Sequence, residues 1–173
     1  MNTTKRAPTK KASKVDIRGY KSEDKKAVIG LMEEFNDRME ELDPHKLYGR
    51  RSGFAEQWLG EIQKDVAEKN GIFNVAVKNN EVVGFIYAVV HKKEVNHINM
   101  DDITVGDINV VAVSKHHEGE GIGSQLMDSA EKRLKDIGCN IIVLSYNVNN
   151  HKAAEWYARR GYEVRSVSRL KYL

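Results

Sequence analysis

Val110-Val111-Ala112-Val113-Ser114-Lys115-His116-His117-Glu118-Gly119-Glu120-Gly121-Ile122-Gly123-Ser124 opens as a β-branched apolar run, breaks at three alternate glycines and restarts as a helical pattern. Glycine admits left-handed backbone angles and lets a ligand approach with no Cβ in the way. The first turn of the helix points its free N–H groups at the break, and the helix dipole favours an anion there. Strand, glycine turn and helix start together make a cradle for phosphate.

Outward from that stretch the hydrophobic periods alternate. Downstream, Ile122, Leu126, Ala130, Leu134 and Ile137 repeat at helical spacing as far as Gly138. A strand over Ile141 to Tyr146, a helix over Asn150 to Arg160 and a last strand over Tyr162 to Val167 follow. Upstream, Ile72 to Lys78 and Val82 to His91 are β-rich runs split by Asn79-Asn80-Glu81, an antiparallel hairpin. Residues 92–102 are polar and turn-like, and Thr104 to Ser114 is the strand that enters the glycine turn.

Nearer the start, Val15 to Tyr20 reads as a short strand and Ser22 as the cap of a helix carrying Val28, Met32, Phe35, Met39 and Leu42. Leu42-Asp43-Pro44 ends it. A second helix with Trp58, Leu59, Ile62 and Val66 on one side exits at Asn70-Gly71. The order β-α-α-β-β-β-α-β-α-β predicts an α/β (α+β) fold, one mixed sheet flanked by helices. Two parallel steps are expected in it, one through the third helix and one through the fourth.

Composition agrees with that picture. The 173 residues are 40% apolar and 31% charged, which suits one soluble globular domain. The longest apolar run, Phe85 to Val90, falls far short of the roughly 20 residues of a membrane helix. No apolar h-region occupies the first 30 residues, and the single Cys139 cannot close an intramolecular disulfide. A cytoplasmic protein is expected. Residues 1–14 carry Lys5, Arg6, Lys10, Lys11 and Lys14 with no acid, while the remainder holds 23 basic and 25 acidic residues. The basic character therefore belongs to a disordered tail over 1–14, ahead of one domain over 15–173. That tail lacks the interleaved aromatics that stack on bases, so nucleic acid is not an expected partner.

Three cofactor families use a strand, glycine turn and helix. A P-loop requires G-x-x-x-x-G-K-[ST], and no lysine stands in the required place. A dinucleotide fold places its glycines after the first strand, with an acid about 20 residues on. Here the glycines come late, behind a hairpin, and the next strand ends in Tyr146-Asn147 without an acid. At these residues the chain resembles the GNAT superfamily of acetyl-coenzyme A-dependent N-acetyltransferases. The family signature [Q/R]-x-x-G-x-[G/A] is occupied by Glu118-x-x-Gly121-x-Gly123. A second element, N-x-x-A-x-x-[LW]-Y-x-x-x-G-[FY], is matched by Asn150, Ala153, Trp156, Tyr157, Gly161 and Tyr162. The resemblance covers about residues 15–167. Glu118 departs from the family's Gln or Arg, and a carboxylate beside a pyrophosphate repels it; Lys115, His116 and His117 partly restore a positive field.

The resemblance implies a role for each matched position. Val111 and Val113 would pair their backbone with the pantetheine arm, although plain core packing explains the same apolar run. Glu118, Gly119, Gly121, Ile122, Gly123 and Ser124 would surround the pyrophosphate, chiefly through main-chain N–H groups. Asn150 would hydrogen-bond the arm or simply cap its helix, with Ala153 beside it. The reaction is attack of an amine on a thioester. At pH 7 roughly one lysine-like amine in a few thousand is neutral, so a base is needed. Asp107, eleven positions before Glu118, stands where histone-type members carry a glutamate base, or is a solvated acid in the turn Gly106-Asp107. The Val111 N–H would polarise the carbonyl. Tyr157 would protonate the leaving thiolate, or is a core tyrosine.

Six histidines show no ligand spacing, so no metal is expected. Asn36-Asp37-Arg38-Met39-Glu40-Glu41-Leu42-Asp43-Pro44-His45, with four acids, lies where such enzymes choose their acceptor, and reads as a draw for a cationic amine or as a solvated face. A small-molecule or protein amine is the expected partner, with a homodimer implied by the family. A coenzyme A-binding or sensing module with little turnover is the alternative.

Overall fold

A computed structural model describes residues 14–49, 51–93 and 103–172. The basic tail, except for Lys14, and residues 94–102 of the polar stretch lie outside the described residues. Strands β1 (Val15–Gly19), β2 (Ile72–Lys78), β3 (Glu81–Lys93) and β4 (Ile103–Val113) run antiparallel in sequence order. Strand β5 (Ile141–Leu144) then joins parallel to β4. Asn79 and Asn80 take φ of 51° and 66°, the two left-handed residues that a tight hairpin between β2 and β3 requires.

Helices α1 (Lys25–Leu42) and α2 (Phe54–Glu68) cover one face of the sheet. Val28, Leu31, Met32, Leu59 and Ile62 pack there on Phe73, Val75, Phe85 and Tyr87. Helices α3 (Ile122–Ile137) and α4 (His151–Arg159) cover the other. Ile122, Leu126, Met127, Ala130 and Leu134 pack there on Ile72, Ala76, Ile86, Ala88 and Ile108. Alternating residues of β2 and β3 feed the two cores, as period-two side chains must.

Strand β4 breaks that alternation at one point. Tyr87 pairs with Val110 and Ala88 with Ile108, so Asn109 is an extra residue without a partner on β3. The bulge reverses the parity: Ile108 joins the α3 core, whereas Val110 and Ala112 join the α1–α2 core. Pairing with β5 also stops there, at Ile108 opposite Leu144. Residues 109–113 continue along β3 alone.

Two expectations are corrected. Ser22 does not cap α1; it lies in a 3-10 turn over Ser22–Asp24. Asp24 organises that entry, accepting 2.8 Å from the Lys21 N–H and pairing both carboxylate oxygens with Arg18 at 2.7 and 2.8 Å. The last strand over Tyr162 to Val167 does not form, so among the described residues the parallel step through α4 is absent and the sheet has five strands. Val164 and Val167, 76% and 75% exposed, fall on opposite sides of any extended chain, with Arg165 between them. The apolar residues are thus divided between the two faces, Tyr162 and Val164 on one and Val167 on the other, and neither face is apolar throughout. Among the described residues no helix is long and apolar enough to cross a membrane.

Candidate active site

The site begins where β4 leaves β5. The Ser114 N–H donates to the Val83 carbonyl at 2.9 Å, which fixes the direction of the backbone groups along this end of β4. Val110 and Ala112 share that direction and bond β3; Val111 and Val113 turn theirs the other way. There β5 has ended, so the Val111 and Val113 amides and carbonyls have no pairing strand on that side. Their side chains pack against the α3 core, which is the core-packing reading of this apolar run.

The chain then turns through Lys115–His117 into the glycines. Gly119 and Gly121 take φ of 78° and 77°, and a Cβ at either position would meet no atom within 4 Å. Gly121 is the N-cap of α3 and offers no side chain to it. Gln125 is the first residue whose N–H finds a helical acceptor, the Gly121 carbonyl at 3.2 Å. The N–H groups of Ile122, Gly123 and Ser124 therefore have no intrahelical acceptor and point out of the helix end. That is a fit for a pyrophosphate. Gly123 differs from the other two, having no left-handed angle; its Cβ would touch the Trp156 ring at 3.5 Å.

The two acids of this turn are not bare. Glu118 Oε1 lies 2.6 Å from Arg38 Nη2 of α1. Glu120 Oε2 lies 2.6 Å from Lys78 Nζ and 3.3 Å from His117 Nδ1, and Lys78 holds its carboxyl below the usual range. Helix α1 makes a second tie, the Glu34 carboxylate accepting from the Lys115 N–H.

Helix α4 sets the other wall. Asn150 caps it, its side-chain oxygen accepting 3.2 Å from the Ala153 N–H, and Ala153 is partly buried against the α3 core. The Tyr157 ring packs against Tyr146, Trp156 and Tyr162 with centroids 5.8, 5.0 and 5.8 Å away. Burial pushes its phenol up to about 12. Among the described residues its hydroxyl has no hydrogen-bond partner. The end of the second motif is structural: Gly161 has φ of 86°, and the Tyr162 hydroxyl donates to Glu131 at 3.0 Å. Arg160 joins the same Glu131 at 2.9 Å and Asp128 at 2.6 Å, fastening α4 to α3.

Asp107 lies on β4 ahead of the bulge, paired in register with Val89 and Val143. It is in a strand, not in the turn that Gly106-Asp107 suggested. His91 Nε2 stands 3.9 Å from its carboxylate. Nearby on β3, the Tyr87 hydroxyl donates to Asp65 at 2.8 Å, and burial with that bond raises its pKa well beyond the normal phenol range. Of the four acids near the end of α1, Asp43 has a structural task. It is buried and accepts from the His45 and Leu47 N–H groups at 2.9 Å each, which lowers its pKa. Asn149 donates to the Leu42 carbonyl at 3.0 Å, tying the loop before α4 to the same helix end.

Arg38, Glu34, Lys78 and His91 were not singled out as parts of this site by the sequence. Their partners are 16 to 81 positions away, at Glu118, Lys115, Glu120 and, nearest in sequence, Asp107. Only the hairpin register of β3 against β4 carries any signal, and it concerns His91 alone. Cys139 is partly buried behind α3, where desolvation raises its thiol pKa, and takes no place in the cleft.

The same order of elements recurs in known proteins. The chain is 31% identical over 113 residues to an aminoalkylphosphonate N-acetyltransferase of Salmonella typhimurium, covering 65% of each protein. It is 26% identical to a mycothiol acetyltransferase of Pseudarthrobacter chlorophenolicus over 58% of this chain and 30% of that one. It thus spans less than two-thirds of the length of these curated relatives. An aminoglycoside N-acetyltransferase solved in complex with CoA superposes with a TM-score of 0.70 at 17% identity, covering 96% of this chain and 99% of that one. The model of the acetyltransferase (GNAT) family matches residues 28–162, from α1 through the glycine turn to the end of the second motif, and the chain belongs to that family.

Proposed function

We propose that this chain transfers an acetyl group from acetyl-coenzyme A to a primary amine by direct attack in a ternary complex. The observation that carries this reading is the free edge of β4 at Val111 and Val113, which leads directly into an uncapped helix start at Gly121. A thioester with a long amide-bearing arm and a pyrophosphate needs those two features in that order. The edge supplies backbone donors and acceptors for the arm, and the α3 start supplies N–H groups for the phosphates.

Within that frame the Val111 N–H polarises the thioester carbonyl as negative charge builds on its oxygen. Asp107 takes the proton from the incoming ammonium to free the attacking amine, and His91 Nε2 stands 3.9 Å from its carboxylate. The Tyr157 hydroxyl donates a hydrogen bond to the departing sulfur. With a phenol at about 12, full transfer to a thiolate with a conjugate acid near 8.5 runs uphill. Tyr157 therefore steadies the thiolate by a charge-assisted hydrogen bond, and solvent completes its protonation. Asn150 has one oxygen committed to its helix, which leaves its amide N–H groups for the arm.

The acceptor is best sought among small amines. The Salmonella relative is named for aminoalkylphosphonates, small amines that carry an anionic group. The four acids near the end of α1 draw cations less than their number suggests, because Asp43 is consumed by its loop. A binding module with no turnover would also use the cradle. The unpartnered Tyr157 hydroxyl favours the enzyme, because a purely structural tyrosine is steadied by bonding its hydroxyl.

Calorimetric titration of acetyl-coenzyme A into wild type and Gly121→Trp tests the cradle, with thermal unfolding showing that the variant folds. Low-micromolar binding lost in the variant supports the reading. Free-thiol release with a panel of aminoalkylphosphonates, aminoglycosides, polyamines and peptide amines then tests transfer. Absence of cofactor binding at millimolar concentration refutes the proposal, and binding without release from any amine selects the non-enzymatic reading.

A further inference from the structure

The turn that would receive a pyrophosphate carries two carboxylates, Glu118 and Glu120, and each is met by a cation from elsewhere in the chain. Arg38 of α1 and Glu118 are 40% and 48% exposed, and an ion pair so open to water contributes little to stability. The fold therefore gives scant reason for this pair. Its location gives a better one: it places a guanidinium at the mouth of the glycine turn, beside the position whose side chain reverses the charge of the family motif.

We propose that Arg38 is the cationic phosphate ligand of this cofactor site, reaching it from α1, and that Glu118 is the residue that holds Arg38 in place. The inference rests on the cofactor reading above. A guanidinium presents five N–H donors in a rigid plane, and the contact with Glu118 Oε1 through Nη2 leaves other donors for a phosphate oxygen. Glu118 thus orients the cation along one edge while another edge stays available. The second anchor, Glu34 on the Lys115 N–H, fixes α1 against the start of the same turn and keeps Arg38 within reach. Lys78 performs the lesser part of this task at Glu120, which it offsets together with His117. In this arrangement a glutamate at the motif's first position is half of a two-residue device, not a repulsive defect.

The device predicts a specific pattern of affinities. The probes are coenzyme A and pantetheine, the latter carrying the arm without phosphates, titrated by calorimetry into wild type, Arg38→Ala, Arg38→Lys and Glu118→Gln. Arg38→Ala should weaken coenzyme A at least tenfold while leaving pantetheine affinity and the thermal midpoint unchanged. Arg38→Lys should recover part of the loss, and the salt dependence of coenzyme A binding should flatten in Arg38→Ala. Glu118→Gln, which loosens the hold on the guanidinium, should weaken coenzyme A by a smaller factor than Arg38→Ala and leave pantetheine unchanged, and no loss at all overturns the positioning role of Glu118. Unchanged coenzyme A affinity in Arg38→Ala overturns the inference while the cofactor reading stands. Equal losses for both ligands also overturn it, since they mark a latch that only shapes the cleft. Failure of wild type to bind coenzyme A at all overturns the cofactor reading and this inference with it.

Discussion

Replacing Tyr157 by Phe removes one hydroxyl and leaves the ring contacts with Tyr146, Trp156 and Tyr162 in place. Because the hydroxyl has no hydrogen-bond partner among the described residues, folding stability should change by less than about 0.5 kcal/mol. Turnover should respond strongly. A hydrogen bond to a charged group contributes about 1.5–3 kcal/mol, so its loss from the departing thiolate slows kcat by about 10- to 150-fold. KM for acetyl-coenzyme A should hold, since the bond strengthens only as the sulfur gains charge. Burial raises the phenol to about 12, so it stays protonated through the usual assay range. The variant's pH profile should therefore keep the wild-type shape and be scaled down throughout. Continuous thiol detection from pH 6 to about pH 10, beside a denaturant titration, reads all of these quantities. An unchanged kcat with a loss of stability would make Tyr157 a core residue, and a wild-type basic limb near pH 9 that vanishes in the variant would refute the assigned protonation state.

Asp107→Ala should lower kcat/KM by about 100-fold at pH 7, with the deficit shrinking as pH rises and the amine loses its own proton; a pH-independent deficit would remove Asp107 from base catalysis. Asp24, 4% exposed, is held below its ordinary carboxylate pKa of 3.8 by Arg18. Its contribution is whole above that ordinary value and is lost as pH falls below it. Asp24→Asn should therefore cost about 3 kcal/mol at pH 7 in urea unfolding, with the gap to wild type closing toward about pH 2. Leu126→Ala, at a fully buried position of α3 beneath the glycine turn, should cost about 3 kcal/mol in the same assay. Asn150→Ala should cost about 1 kcal/mol through the lost cap, and any further fall in cofactor affinity would report its amide on the arm.

Most elements of the fold were legible because their signals are local. Helical spacing in Ile122 to Ile137, Asn79-Asn80 between two β-rich runs, and glycines at 119, 121 and 138 each dictate backbone shape within a few residues. The last strand misled because Tyr162 to Val167 is β-rich in composition but divides its valines between two faces. Strand formation depends on a partner surface, which composition does not reveal. Tyr157 and Asn150 were legible as a spaced pair on one helix. The division of labour in their motif was not, since the hydrogen bond from Tyr162 to Glu131 spans two helices.

The sequence by itself determined the strand, glycine turn and helix that form the cradle, because backbone angles and the free N–H groups of a helix start are properties of neighbouring residues. Tertiary structure decided what surrounds it. The bulge at Asn109, the end of β5 at Leu144, and the cations Arg38 and Lys78 at Glu118 and Glu120 join residues that no spacing rule connects. Glu118 shows the difference: its sign is written in the chain, but the field at the turn is the sum of every charge folded against it.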